Sequence, residues 1–212
     1  FTMQVLQRVQ QAVDHGGGIG AAVGIPRGQG AGRGGPCAGQ LQLDLAVDAC
    51  QLLPQPLTFV ATCNAIAYCS AEPVFIDVDR HTLGLSPGAL ETWLTDNARV
   101  GDDGLCRTRD KGQVIRACVP MHTFGHPADL DGLVDVCARW KLALVEDAAE
   151  SLGSFYKGRH TGTFGALGTL SYNGNKIITT GGGGMILAGE ELGARAKHLT
   201  TTAKKPHPYE YV

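Results

Sequence analysis

The chain has 212 residues, enough for one sizeable α/β domain with a real core. A formal net charge of -2 argues against a surface built for nucleic acid or anionic membrane. No apolar run approaches the roughly 20 residues that cross a bilayer, and Phe1-Thr2-Met3-Gln4 lacks the basic and apolar stretches of a signal peptide.

From Gly16 to Gly39 the chain is nearly half glycine, with Arg27, Arg33, Pro26 and Pro36 interspersed. Such a stretch has too little apolar surface to offset its ordering entropy. Gly18 to Gly24 imitates a nucleotide-binding glycine pattern, but the spacing is wrong and no strand precedes it. Residues 41–53 are apolar enough for a short strand or helix. Thr58 to Tyr68 fits a loop entering a buried helix, and Glu72 to Val78 reads as a buried strand. Ser86-Pro87 opens the next helix, because serine caps well and proline suits the first helical position. Leu90 and Trp93-Leu94 mark its inner face, and Asp102 to Lys111 is a polar loop or insertion.

Val114 to Pro120 is the next strand. Asp129 begins a helix carrying Leu130, Leu133, Val134, Cys137 and Trp140 at helical spacing, and Leu142 to Glu146 is a short central strand. Leu167 to Tyr172 and Met185 to Ala188 are further strands, and Glu190 to Thr202 is helical in pattern. Strands alternating with helices imply an α/β fold: a mostly parallel sheet with helices on both faces. The seven cysteines form no CxxC pair, so reduced thiols in a cytoplasmic protein are expected.

In an open α/β sheet the ligand lies beyond the carboxyl ends of the strands. Three segments fall at such ends: Met121 to His126, Asp147 onward, and Ser171 to Lys176. Lys176 stands between Asn173-Gly174-Asn175 and the run Gly181 to Gly184, where a backbone can approach a ligand closely. A desolvated lysine is a nucleophile toward carbonyls, although the same spacing suits a surface lysine beside a flexible turn. Asp147 could cap a following helix or pair with a protonated pyridine nitrogen. Ser171 could bind phosphate or merely satisfy a strand end. His122 and His126 have an H-x3-H spacing, but Gly125 and Pro127 oppose a helix there and no third ligand is placed. No metal is therefore expected, and the histidines are read as lining the site loop.

Four separated stretches, PLTFVATCNAIAYCSAEPVFIDVD, VPMHTFGHPADLDGL, LVEDAAESLGSFYKGRHTGTFG and LSYNGNKIITTGGGGM, resemble in order and spacing the DegT/DnrJ/EryC1/StrS sugar aminotransferases. Within that family they are most similar to the branch making 4-amino nucleotide sugars for bacillosamine- and legionaminate-type glycans. The resemblance runs from Pro56 to Val212. It implies the large domain of a fold-type I transferase dependent on pyridoxal 5'-phosphate, with Lys176 holding the cofactor covalently. By the same resemblance Asp147 pairs with the ring nitrogen, Glu150 lies near the ring hydroxyl, and Ser171 binds phosphate with Asn173 beside it. Phe59 matches the aromatic that stacks on the ring, with Thr58 its neighbour; without the resemblance Phe59 would read as a core aromatic. The implied reaction moves an amino group from glutamate to a 4-keto nucleotide sugar, in a cytoplasmic homodimer with no nucleic-acid or membrane partner.

Two departures stand out. Family members are roughly twice this length, so a fragment without the C-terminal small domain is expected. Upstream, the Gly-Thr pair that binds the cofactor phosphate is missing from the Gly/Arg/Pro/Gln-rich stretch. Residues 1–55 are therefore expected to be an atypical, non-native or disordered segment, and residues 56–212 part of the large domain. The contrasting expectation is a family-derived chain that binds no cofactor.

Overall fold

The computed structural model describes residues 50–200; the expectations for the glycine-rich stretch, and for the end of the last helix beyond Thr200, lie outside these. In chain order the described elements are β1 (Gln51–Pro54), α1 (Val60–Tyr68), β2 (Glu72–Pro73), α2 (Pro87–Asn97), β3 (Ala98–Val100), β4 (Cys106–Thr108) and β5 (Ile115–Val119). There follow α3 (Leu130–Trp140), β6 (Ala143–Asp147), β7 (Phe155–Tyr156), β8 (Arg159–His160), β9 (Leu167–Ser171), β10 (Gly184–Ala188) and α4 (Glu190–Thr200). The main sheet runs β10-β9-β6-β5-β1-β2, parallel except for the antiparallel β10.

Alternation of side chains sends each strand's apolar residues to both faces. Leu53, Cys118 and Leu144 point to one side and pack with Leu90 and Leu94 of α2 and Leu130 and Leu133 of α3. Leu52, Val119 and Val145 point to the other, against Ala65 and Ile66 of α1. Each fully buried leucine contributes about 2 kcal/mol from removal of apolar surface from water. The helix starts follow their caps: Ser86 Oγ accepts from Ala89 N at 3.2 Å, and Asp129 Oδ1 accepts from Gly132 N at 3.3 Å.

Three expectations change. The ordered fold does not begin at Pro56: β1 lies inside the sheet between β2 and β5, with Leu53 wholly buried. Its apolar run fills both faces, so a boundary at 55 leaves a whole core strand outside the domain. Second, the buried strand over Glu72 to Val78 is the sheet's outer edge. Only Glu72 and Pro73 are regular strand, although Val74 N and Ile76 N continue the bonding to Leu52 O and Pro54 O at 2.9 Å. Third, the polar stretch Asp102 to Lys111 contains β4, which pairs with β3 in an antiparallel hairpin. Cys106 anchors that hairpin in the core beside α2. None of the six cysteines of the described residues is in a disulfide.

Candidate active site

The strand order reverses at β1: its successor β2 lies to one side, while β5, β6 and β9 are laid down on the other. The loops beyond the carboxyl ends of β1, β5, β6 and β9 therefore converge, and between them lies a cavity of about 350 Å³. Phe59 and Thr62 reach it from the β1 side, Met121 from β5, Asp147 and Glu150 from β6, and Ser171, Asn173 and Lys176 from β9.

Lys176 follows a short turn closed by its own amide on Asn173 O at 3.0 Å. Its side chain is only 15% exposed, and Nζ contacts Glu150 Oε1. Asp147, at the last position of β6, is buried. Its Oδ2 accepts from Thr62 Oγ1 at 2.6 Å and its Oδ1 from Ala149 N at 3.2 Å. Burial pushes this carboxyl above the ordinary aspartate value; the Thr62 hydroxyl, the Ala149 amide, the more distant His122 ring and the Lys176 charge pull the other way without cancelling it. The amide of Ala149 belongs to a turn, so Asp147 does not cap a helix.

Phe59 is the N-cap residue of α1 and 71% exposed, which excludes a core role; its ring stands at the cavity. Ser171 and Asn173 share the β9 end, where Asn173 N donates to Ser171 Oγ at 3.4 Å. Six of the seven residues singled out from the sequence thus line one cavity. Thr58 is the exception. It sits behind the lining, its hydroxyl 3.4 Å from Thr62 Oγ1 and 3.4 Å from Met121 Sδ.

The two histidines do not line the site as expected. His122 is wholly buried, its Nδ1 accepting from Ala128 N at 3.2 Å. Nε2 therefore carries the ring proton and donates to Glu146 Oε2 at 3.1 Å. Glu146 also accepts from the amides of Gly162, Phe164 and Gly165 at 2.6, 2.6 and 2.7 Å. Burial pushes the Glu146 carboxyl up, but these donors outweigh it and hold it below the usual glutamate value. The pair faces the sheet's other side from Asp147 because adjacent strand residues alternate. His126 is turned to the carbonyl of Pro127 at 3.0 Å. Sequence reasoning placed Met121 in a site loop without singling it out and missed Thr62, whose available signal was its four-residue spacing from Thr58 ahead of a helix.

Residues 41–209 match the model of the DegT/DnrJ/EryC1/StrS aminotransferase family. The chain belongs to that family. EpsN of Bacillus subtilis (strain 168), which bears the name of a pyridoxal phosphate-dependent aminotransferase, is 42% identical over 153 residues, covering 72% of this chain and 37% of EpsN. The GDP-perosamine synthase of Caulobacter vibrioides is 34% identical over 158 residues, covering 74% of this chain and 38% of that protein. Among solved structures, a DegT DnrJ EryC1 StrS aminotransferase from Brucella abortus superimposes with a TM-score of 0.67 at 26% identity, over 77% of this chain and 42% of that one. The chain thus spans well under half the length of these relatives. The family match begins at residue 41 and so includes β1.

Proposed function

We propose that this chain carries the cofactor-binding half of a pyridoxal phosphate-dependent aminotransferase acting on a nucleotide-linked keto sugar. The observation that carries the reading is the pairing of Lys176 and Asp147 across one cavity. Asp147 is a buried carboxylate whose contacts are a hydroxyl and an amide, with no cation touching it among the described residues. A protonated ring nitrogen is the partner that such a carboxylate lacks. The cavity volume lies within the range of small-molecule sites, and Phe59 offers an exposed aromatic face at its edge.

When bound, pyridoxal phosphate supplies a carbonyl carbon open to amines and a ring that accepts the electron pair left by proton removal. Lys176 would hold the cofactor through Nζ, and its amine, when free, would serve as the base and then the acid that moves the donor's α-proton. Glu150, in contact with Nζ, orients that amine. Asp147 would keep the ring nitrogen protonated, Ser171 and Asn173 would hold phosphate, and Phe59 would offer its ring to the cofactor. Thr58 acts through Thr62 and not on the cofactor directly.

Glutamate as donor and a 4-keto, UDP-linked 6-deoxy N-acetylhexosamine as acceptor complete the reading, in a homodimer in the cytoplasm. A nucleotide-linked sugar as acceptor is supported by the GDP-perosamine synthase relative, and the compartment by six described cysteines of which none is in a disulfide. No helix among the described residues is long and apolar enough to cross a membrane. The test is a half-reaction: the chain loaded with cofactor and mixed with glutamate should release about one equivalent of 2-oxoglutarate, then aminate the keto sugar. Loaded protein that releases no oxo acid from glutamate or from any other amino donor would overturn the assignment and favour a family-derived chain without activity.

A further inference from the structure

Thr62 lies on the first turn of α1, 1% exposed, and its hydroxyl reaches across to Asp147 Oδ2. A threonine hydroxyl has one proton, and its direction is decided by what else the oxygen touches. Thr58 Oγ1, at 3.4 Å, has a choice between Thr62 Oγ1 and Met121 Sδ; the oxygen is the stronger acceptor. Thr58 therefore donates to Thr62, and the Thr62 proton goes to Asp147. With the Ala149 amide on the other oxygen, each carboxylate oxygen receives a donor. That is the pattern of an ionised carboxylate, and it fixes the rotation of the carboxyl plane.

The titratable groups facing Asp147 come from the other loops. His122, beyond β5, turns its ring to Glu146, and Lys176, beyond β9, is in contact with Glu150. Neither touches the Asp147 carboxylate. Among the described residues Thr62 is the side chain that hydrogen-bonds it.

We propose that Thr62, oriented by Thr58, is a positioning residue that holds the Asp147 carboxylate charged and turned toward the cavity. Its purpose rests on the functional reading above, while the hydroxyl chain Thr58–Thr62–Asp147 is a property of the protein without any ligand. Burial works against the charged form of this carboxyl, so the donor opposing it has a measurable share in where Asp147 titrates.

The test follows Asp147 directly by carbon NMR in the full chain labelled at aspartate carboxyl carbons, its signal assigned by its loss in Asp147→Asn. Thr62→Val keeps the shape and removes the hydroxyl. It should raise the Asp147 titration midpoint by about one pH unit, the size expected for losing one hydrogen bond to a charged group. Thr62→Ser, which restores the hydroxyl, should return the midpoint to within a few tenths of a unit of wild type. Should Thr62→Val fail to fold, Thr62→Ala removes the same hydroxyl without adding bulk and is read the same way. A midpoint unmoved in the folded hydroxyl-free variant, or equally moved in Thr62→Ser, overturns the proposal. A wild-type chain that takes up no pyridoxal phosphate while Thr62→Val still shifts Asp147 sinks the functional reading alone. Cofactor uptake with an unmoved midpoint sinks the positioning role alone.

Discussion

Asp147 and Glu146 are neighbours in sequence, buried side by side, and held in opposite electrostatic circumstances. Asp147 has two uncharged donors and is pushed up by burial; Glu146 has four donors and is held down despite it. Lowering of the folded-state value means that Glu146 stabilises the fold above its ordinary value of 4.5, and that this contribution is lost as pH falls through the lower folded value. The wild-type chain should therefore lose stability steeply below about pH 4.5. His122→Ala, which removes the side-chain donor, should cost about 2–3 kcal/mol at pH 7 by urea unfolding and flatten that acid limb. An unchanged acid limb would mean that other groups set it. Neither role of Glu146 nor of His122 was legible in the sequence, because LVEDAAE reads as one acidic strand end and only the pleat separates its two carboxylates. Lys176, Asp147, Glu150, Ser171, Asn173 and Phe59 were legible because a resemblance over four motifs named them. Spacing alone left Lys176 and Asp147 undecided.

At the scale of elements, local signals worked where they had a physical mechanism and failed where tertiary context overrode them. Ser86-Pro87 and Asp129 opened helices because each side chain caps an amide three residues on. EPVFIDV reads as buried by composition, yet it is an edge, since nothing in a strand's own sequence says whether a neighbour lies beyond it. The stretch holding β1 was left open between strand and helix and placed outside the domain, because a four-residue strand adjoining a glycine-rich stretch has no periodicity of its own. One glycine carries a packing constraint that the sequence could not announce. A Cβ on Gly168 of β9 would stand 2.0 Å from Gly162 O, where the Glu146-bound loop crosses the strand. Gly168→Ala should therefore destabilise the fold by about 1–3 kcal/mol, read as a lowered urea midpoint with an unchanged slope. A neutral result would show that the loop moves aside freely and that Glu146 does not pin it.

Among the described residues, the strand-end loops expose large apolar side chains. Phe59, Phe124 and Ile177 are 71%, 85% and 77% exposed on the side where the strand-end loops meet. Large apolar groups concentrated at one face are characteristic of an interaction site. In the homodimer reading a second copy covers this face, and sedimentation of the full chain should give twice the monomer mass. A monomer at micromolar concentration would remove that part of the reading. The fold class itself was legible throughout, because the alternation of strands with helices needs no long-range information. Which loops converge depended on the reversal of strand order at β1, which only the assembled sheet shows.

In the proposed reading Lys176 is the residue through which this cavity takes pyridoxal phosphate. Its most direct test is incubation of the full chain with the cofactor, borohydride reduction, and peptide mapping by mass spectrometry. A single stoichiometric adduct at Lys176, absent in Lys176→Ala, is the expected result. No adduct, or one scattered over exposed lysines such as Lys157 and Lys197 with Lys176 unmodified, would contradict it.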